Sequence, residues 1–137
     1  MTDGLTFNTL RAANLKRLPQ FKNNKGEQAH SLPDGSDWSI SDWLVAVVGE
    51  LGEYANFAKK FKRGDIDKEE FIKEAKKELA DVQIYLDILA FRLGINLGEA
   101  TKEKFNETSI KVGSDVRIGD DGDWHLEPKI AYPDSIK

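Results

Sequence analysis

The chain has 137 residues, which is the size of one domain, large enough for a hydrophobic core but small for an enzyme that works alone. Hydrophobic residues make up 39% and charged residues 32%, as in ordinary globular proteins, and the net charge of −4 argues against a general nucleic-acid binder. The absence of cysteine excludes disulfides and thiolate chemistry, and without a long apolar run or a charged leader we expect a cytoplasmic protein with no membrane span.

The first predicted elements are a short helix and a loop. Hydrophobic spacing predicts the helix over residues 5–18, and Pro19 ends it because proline cannot continue a helix. Residues 20–37 are polar and rich in Asn, Lys, Gly and Asp. They predict a loop that is long enough to act as a functional lid.

A second helix is predicted to begin at a cap, Ser39 or Ser41, and to end at Gly64. Gly49 and Gly52 lie inside it, and each costs a helix roughly 1 kcal/mol relative to alanine. We therefore expect another helix to approach closely on the side that these glycines occupy.

Two more helices and a hairpin complete the prediction. Asp67 caps a long helix over residues 68–93, and Leu97 opens a further helix that ends near Lys111. Alternating apolar residues then flank the acidic turn 120–123, a pattern typical of a β-hairpin. The predicted fold class is all-α: a bundle of about four helices with a short C-terminal hairpin or extended arm.

Four carboxylates have unusual positions on the two long helices. Glu50 and Glu53 lie on the second helix, and Glu78 and Asp81 lie on the third. Each pair is spaced i, i+3, so both acids project from one side of their helix. That side is the apolar face, where a charged group costs several kcal/mol unless something neutralises it.

A bound divalent cation is the simplest means of neutralising these acids. No Lys or Arg lies within the two apolar stripes, although pairing with Lys104 or Arg92 remains an alternative. Di-iron bundles carry a Glu-x-x-His motif on each of two helices, whereas the single such spacing here, Glu27 to His30, falls in the polar loop 20–37, and His125 has no glutamate three residues before it. Oxygen ligands alone favour Mg²⁺, with Mn²⁺ as a possible substitute, and Mg²⁺ is commonly shared with substrate phosphates.

Three sequence blocks carry a family resemblance. They are AVVGELGE over 46–53, ELADVQIYL over 78–86, and GINLGEA over 94–100 followed by Lys104. In this order they resemble the MazG-like nucleoside triphosphate pyrophosphohydrolases, an all-α superfamily that includes the dCTP pyrophosphatases and, more distantly, the dimeric dUTPases. The resemblance covers about residues 36–112.

The resemblance implies hydrolysis of a nucleoside triphosphate, in particular a dNTP, to the monophosphate and pyrophosphate with Mg²⁺. It makes the four carboxylates the metal ligands and catalytic groups, with one glutamate also positioning or deprotonating the attacking water. The substrate contacts that it implies are Lys104 with the phosphates, Tyr85 with the nucleotide, Trp38 with the base, and Asn106 or Thr108 in place of a family asparagine. It also implies a homodimer or homotetramer, while the acidic net charge and the lack of a long apolar run predict that neither nucleic acid nor membrane is a partner.

In terms of organisation, the resemblance implies one MazG-like domain over residues 1–137. Its parts are an N-terminal helix and loop (1–37), a core (36–112) and a C-terminal arm (113–137). We expect segment 20–38, with Lys22, Lys25, His30 and Trp38, to close over the nucleotide or else to be a connector that Trp38 anchors. The alternative function is a non-catalytic nucleotide-binding or regulatory module of the same fold, and base and sugar preference stay open.

Overall fold

The protein is all-α in the part that the computed structural model describes, residues 4–27 and 38–128, which confirms the predicted fold class. Its helices are α1 (Phe7–Arg17), α2 (Ile40–Arg63), α3 (Lys68–Arg92) and α4 (Leu97–Lys111), and a short 3-10 helix (Leu18–Gln20) follows α1. The strands β1 (Val116–Ile118) and β2 (Trp124–Leu126) form a small antiparallel sheet. No helix in this part of the chain is both long and apolar enough to span a bilayer.

The chain divides into two compact units, residues 1–95 and residues 96–137. The first unit contains α1, α2 and α3, and the second contains α4 and the hairpin. The boundary between them falls at the start of α4, inside the segment 36–112 that the family resemblance treats as one core.

The helix boundaries follow from local capping chemistry. The Ser39 hydroxyl accepts the Asp42 amide at 3.1 Å, and the Asp42 carboxylate accepts the Ser39 amide at 2.9 Å, so α2 begins with a capping box. The helix ends at Gly64, whose φ of 82° is a left-handed conformation that glycine adopts without strain. Asp67 caps α3 as predicted, and Asn96, whose side chain accepts the Glu99 amide, caps α4 in a similar way.

Helices α2 and α3 form an antiparallel hairpin joined by four residues. Near this connection the rings of Phe61 and Phe71 stack with their centroids 4.8 Å apart. Towards the opposite end, the rings of Trp43 and Tyr85 lie 6.2 Å apart. This register places the four predicted carboxylates in the middle of the hairpin, between two aromatic clusters.

The core of the first unit lies at the far end of this hairpin, where α1 and the 3-10 helix pack. Its buried apolar residues are Leu18, Trp43 and Ile88, and the partly buried residues packed against them are Trp38, Ile84, Tyr85 and Leu89. Helices α2 and α3, the 3-10 helix and Trp38 just before α2 therefore contribute to a single aromatic-rich cluster close to the carboxylates.

A buried ionic network fastens α1 to α3. Asp87 is only 1% exposed, and its carboxylate accepts hydrogen bonds from Arg11 Nε and Asn14 Nδ2, each at 3.0 Å. The guanidinium of Arg11 also donates to the carbonyl oxygen of Ile95 at 2.9 Å. Because every oxygen of the buried carboxylate has a donor, the network can offset the cost of burying the charge.

The close helix approach that we predicted at Gly49 and Gly52 is not present within the described residues. A Cβ atom built on either glycine meets no heavy atom within 4 Å. The large apolar side chains of Leu44, Val48 and Leu51, at spacings of four and three residues on α2, are about half exposed. These three side chains therefore form an apolar surface of α2 that the described chain leaves about half exposed.

In the second unit the hairpin is tied to α4 by polar side chains. The Asn106 amide donates to the carbonyl oxygen of Ile118 at 2.9 Å and accepts the amide of Ile118 at 2.8 Å. The Nζ atom of Lys102 lies 2.8 Å from Asp120 Oδ1 and 2.9 Å from Glu99 Oε2. Hydrogen bonds to these two carboxylates raise the pKa of Lys102. The predicted hairpin is thus present and is held at both its strand and its turn.

Candidate metal centre

Three of the four predicted carboxylates meet across the α2–α3 hairpin. Glu50, Glu78 and Asp81 each offer one oxygen, and these three oxygens all lie within 4.8 Å of one another. Glu50 comes from α2, whereas the i, i+3 spacing of Glu78 and Asp81 brings both to the same side of α3. Glu78 is buried and the other two side chains are half-buried. We call this group the carboxylate cluster.

The deepest acid of the carboxylate cluster has an oxygen without a partner. Glu78 is 8% exposed, and its buried Oε2 accepts no hydrogen bond. Within the described ranges, no Lys, Arg or His forms an ion pair with any member of the cluster. A buried carboxylate oxygen without a donor is costly, and an all-oxygen ligand set is the kind that a hard divalent cation prefers.

Electrostatic crowding shows in the pKa values of the glutamates. The pKa of Glu78 is raised first by its hydrogen-bonding contact with the Glu50 carboxyl and then by burial. The pKa of Glu53, an exposed residue outside the cluster, is raised first by the charge of Glu78. Acids that raise one another's pKa resist ionisation together, and a bound cation relieves that repulsion.

The two cations that the sequence offered as alternative partners for the acids are engaged elsewhere. Arg92 donates to the carbonyl oxygen of Trp38 in the first unit. Lys104 Nζ lies 3.0 Å from Glu107 Oε1 in the second unit. In the described part of the chain, neither Arg92 nor Lys104 therefore pairs with the acids of the carboxylate cluster.

No histidine joins the carboxylate cluster among the residues that the structure describes. His125 lies on β2 with its Nε2 atom 2.8 Å from Glu127, and His30 lies outside the described residues. The cluster accordingly offers oxygen ligands alone, which is the set expected for Mg²⁺ rather than for a di-iron centre.

A cavity of about 240 Å³ adjoins the carboxylate cluster and shares Asp81 with it. Its remaining lining residues are Asn14, Arg17, Leu18, Phe21, Trp43, Ile84, Tyr85 and Ile88. The pKa of Tyr85 is raised by burial and then by the charges of Glu50 and Asp81, so its hydroxyl keeps the proton and can donate. The cluster and the cavity together could bind a charged group beside a flat apolar one.

Trp38 belongs to the core and lies beside this cavity rather than within its lining. Its ring is 4.6 Å from the ring of Trp43, and the side chain is partly buried in the core. This packing supports the anchoring role, and base stacking by Trp38 stays a prediction. Of the predicted lid, Lys22 and Lys25 are exposed, whereas residues 28–37 lie outside the described residues.

The predicted phosphate-binding side chains lie on α4 in the second unit. Lys104 and Thr108 are exposed, and the amide of Asn106 is bonded on both sides to the backbone of Ile118. Of the two candidates for the family asparagine, Thr108 is therefore the one whose side chain is not already hydrogen-bonded within the described part of the chain. The roles of these residues stay predictions.

The sequence reasoning missed the α1 side of the site. Arg11 and Asn14 donate hydrogen bonds to Asp87 on α3, and Arg17, also on α1, lines the cavity. One signal was present, because Asp87 interrupts an otherwise apolar run between Tyr85 and Ala90. An acid in such a run indicates a buried partner but does not identify it.

The chain matches no protein-family model, no curated protein and no solved structure.

Proposed function

We propose that the protein is a MazG-like pyrophosphohydrolase that converts a nucleoside triphosphate, preferably a deoxynucleotide, to the monophosphate and pyrophosphate with Mg²⁺. The observation that carries the proposal is the buried Glu78 oxygen without a partner, placed within a group of three carboxylates. That arrangement is unfavourable in itself and is expected where a cation binds. The ordered sequence blocks support the choice of reaction.

Glu50, Glu78 and Asp81 would hold the cation, with Glu53 beside them, and Mn²⁺ could substitute for Mg²⁺. When bound, the cation supplies positive charge that neutralises the phosphates and stabilises the charge developing on the leaving group. Without this charge, the acids of the site would repel a triphosphate.

The chain's own residues position the water and the nucleotide. The water oxygen forms a bond to the α-phosphorus while the bond from that phosphorus to the bridging oxygen breaks, and pyrophosphate leaves. We assign Glu53, which is exposed beside Glu78 and outside the carboxylate cluster, to orient the water and take its proton. The Tyr85 hydroxyl, which keeps its proton, can donate a hydrogen bond to the nucleotide, and Lys104 is assigned to the phosphates.

We further propose that the active form is a homodimer or homotetramer. The exposed apolar side chains of Leu44, Val48 and Leu51 and the open space at Gly49 and Gly52 lie on α2. A second copy that covers this surface would bury apolar area that the single chain leaves in water.

The products of the reaction test the proposal. Incubation of the protein with dNTPs and Mg²⁺ in ¹⁸O-labelled water should give dNMP and pyrophosphate, with the label in the dNMP phosphate, because attack is at the α-phosphorus. Chromatography and mass spectrometry measure both products, and the Glu78→Gln variant is the control for contaminating activity. Stepwise release of dNDP and orthophosphate would assign the protein to a different class of hydrolase.

A further inference from the structure

The cavity beside the carboxylate cluster has the size and lining of a site for a planar ring system. Its volume of about 240 Å³ lies below the roughly 300 Å³ at which sites for whole small molecules begin. Most of its lining is apolar or aromatic, contributed by Leu18, Phe21, Trp43, Ile84, Tyr85 and Ile88. A group that enters this cavity should therefore be flat and largely apolar, while charged groups attached to it stay outside.

Few polar groups of the cavity remain available to a ligand. The Asn14 amide already donates to the Asp87 carboxylate at 3.0 Å and to the Ile84 carbonyl at 3.3 Å. Asp81 belongs to the carboxylate cluster. The guanidinium of Arg17 and the hydroxyl of Tyr85 remain, and both are hydrogen-bond donors.

Arg17 is the charged donor of this cavity. Its guanidinium carbon lies 5.7 Å from the centre of the Phe21 ring, which orients the side chain. No ion pair or hydrogen bond engages its guanidinium among the described residues. Its charge acts on Tyr85, the neighbouring donor. A ligand that fits here must therefore present a hydrogen-bond acceptor.

We propose that this cavity receives the base of the nucleotide and that Arg17 reads a carbonyl oxygen on it, so that bases with a carbonyl group are preferred over adenine. The proposal rests on the function proposed above. Guanine, cytosine, thymine and uracil each carry a carbonyl acceptor, whereas adenine presents an amino donor at the position equivalent to the guanine carbonyl. A guanidinium has donors only and meets that amino group unfavourably.

A phosphate is the competing occupant for Arg17, because guanidinium groups also bind phosphates well. The mostly apolar lining of the cavity argues against a phosphate as the group that Arg17 binds. A phosphate drawn into an apolar cavity would lose hydration beside the Asp81 carboxylate, with one guanidinium to compensate. The base is therefore the part of the nucleotide that this cavity favours.

The pair dITP and dATP tests the proposal, since these nucleotides differ in the carbonyl or amino group at one ring carbon. We expect the wild-type kcat/KM to favour dITP by roughly tenfold or more. Arg17→Gln should bring the ratio close to one by slowing dITP, and Arg17→Lys should give an intermediate ratio. Lys16→Gln, a neighbouring exposed position that does not line the cavity, should leave the ratio unchanged.

Binding provides a second measurement that does not depend on turnover. Calorimetry with the α,β-imido analogues of dITP and dATP in Mg²⁺ should show the same preference and the same loss in Arg17→Gln. An equal loss for both nucleotides would place Arg17 at the phosphates and overturn the proposal, as would an unchanged ratio or a failure of both analogues to bind. If no nucleotide is hydrolysed but the analogues bind with an Arg17-dependent preference, the proposed hydrolysis fails and the cavity assignment stands.

Discussion

Replacing Glu50 by Gln or Asp81 by Asn is expected to reduce kcat by at least about a hundredfold while the fold persists. Each change keeps the size of the side chain but removes a charged oxygen from the carboxylate cluster, whose three oxygens lie within 4.8 Å of one another. Loss of groups that only support metal ligands costs roughly 10- to 100-fold, so loss of a ligand should cost more. Pyrophosphate release measures kcat, and circular dichroism verifies the fold.

Glu74→Gln is the matched control for these variants. Glu74 also lies on α3, but it pairs with Lys77 at 3.5 Å and is not part of the carboxylate cluster. Its variant should keep nearly the wild-type rate, since Glu74 contributes no oxygen to the carboxylate cluster. Retention of most of the rate by both the Glu50 and Asp81 variants would end their assignment as ligands.

The second large effect concerns stability. Asp87→Ala should lower the free energy of unfolding by about 3–5 kcal/mol, the cost of removing one partner from a buried ion pair. In the wild type, Arg11 Nε and Asn14 Nδ2 each donate to an oxygen of the Asp87 carboxylate at 3.0 Å, and the variant removes both acceptor atoms. It also loosens α1, which carries Arg17 on the wall of the cavity. Urea unfolding followed by circular dichroism measures the change.

An exposed pair supplies the comparison for this variant. Asp65 pairs with Arg63 at 2.9 Å, and both side chains are more than half exposed. Asp65→Ala should therefore change the free energy of unfolding by no more than about 1 kcal/mol. A loss in Asp87→Ala as small as that would show that the buried network does not hold α1 in place.

The helices could be predicted from sequence because their boundaries depend on nearby residues. The hydroxyl of Ser39 and the carboxylate of Asp67 each bond to an amide three residues away, and Gly64 provides the left-handed residue that ends α2. The carboxylate cluster was predictable for a similar reason, since i, i+3 spacing on adjacent helices places acids on facing sides. Glu53 is exposed and is not one of the three clustered acids, although the charge of Glu78 raises its pKa.

Contacts between distant parts of the chain could not be predicted in this way. Arg11 and Asp87 are 76 residues apart, and no local pattern specifies that they pair. The cavity depends on the same packing of α1 against α3, so Arg17 was not a candidate before the structure placed it there. The glycines of α2 predicted a neighbouring helix, yet the described chain leaves that side open.

The central claim is that the carboxylate cluster binds a divalent cation, and its acids give the claim a measurable pH dependence. The pKa of Glu78 in the folded protein is raised above its ordinary value of 4.5. The folded state therefore favours the protonated acid, and the stability that this group contributes is complete below pH 4.5 and is lost as the pH rises through the raised pKa. Without metal at neutral pH, Glu78→Gln should accordingly melt at a higher temperature than the wild type.

The most direct test is the melting temperature of the wild type and of Glu78→Gln at neutral pH, with and without Mg²⁺. A ligand that binds the folded state at 100 times its Kd stabilises it by about 2.7 kcal/mol. We predict that saturating Mg²⁺ raises the melting temperature of the wild type by several degrees and leaves that of Glu78→Gln unchanged. An equal shift in both proteins, or no shift in the wild type, would contradict a cation site at the carboxylate cluster.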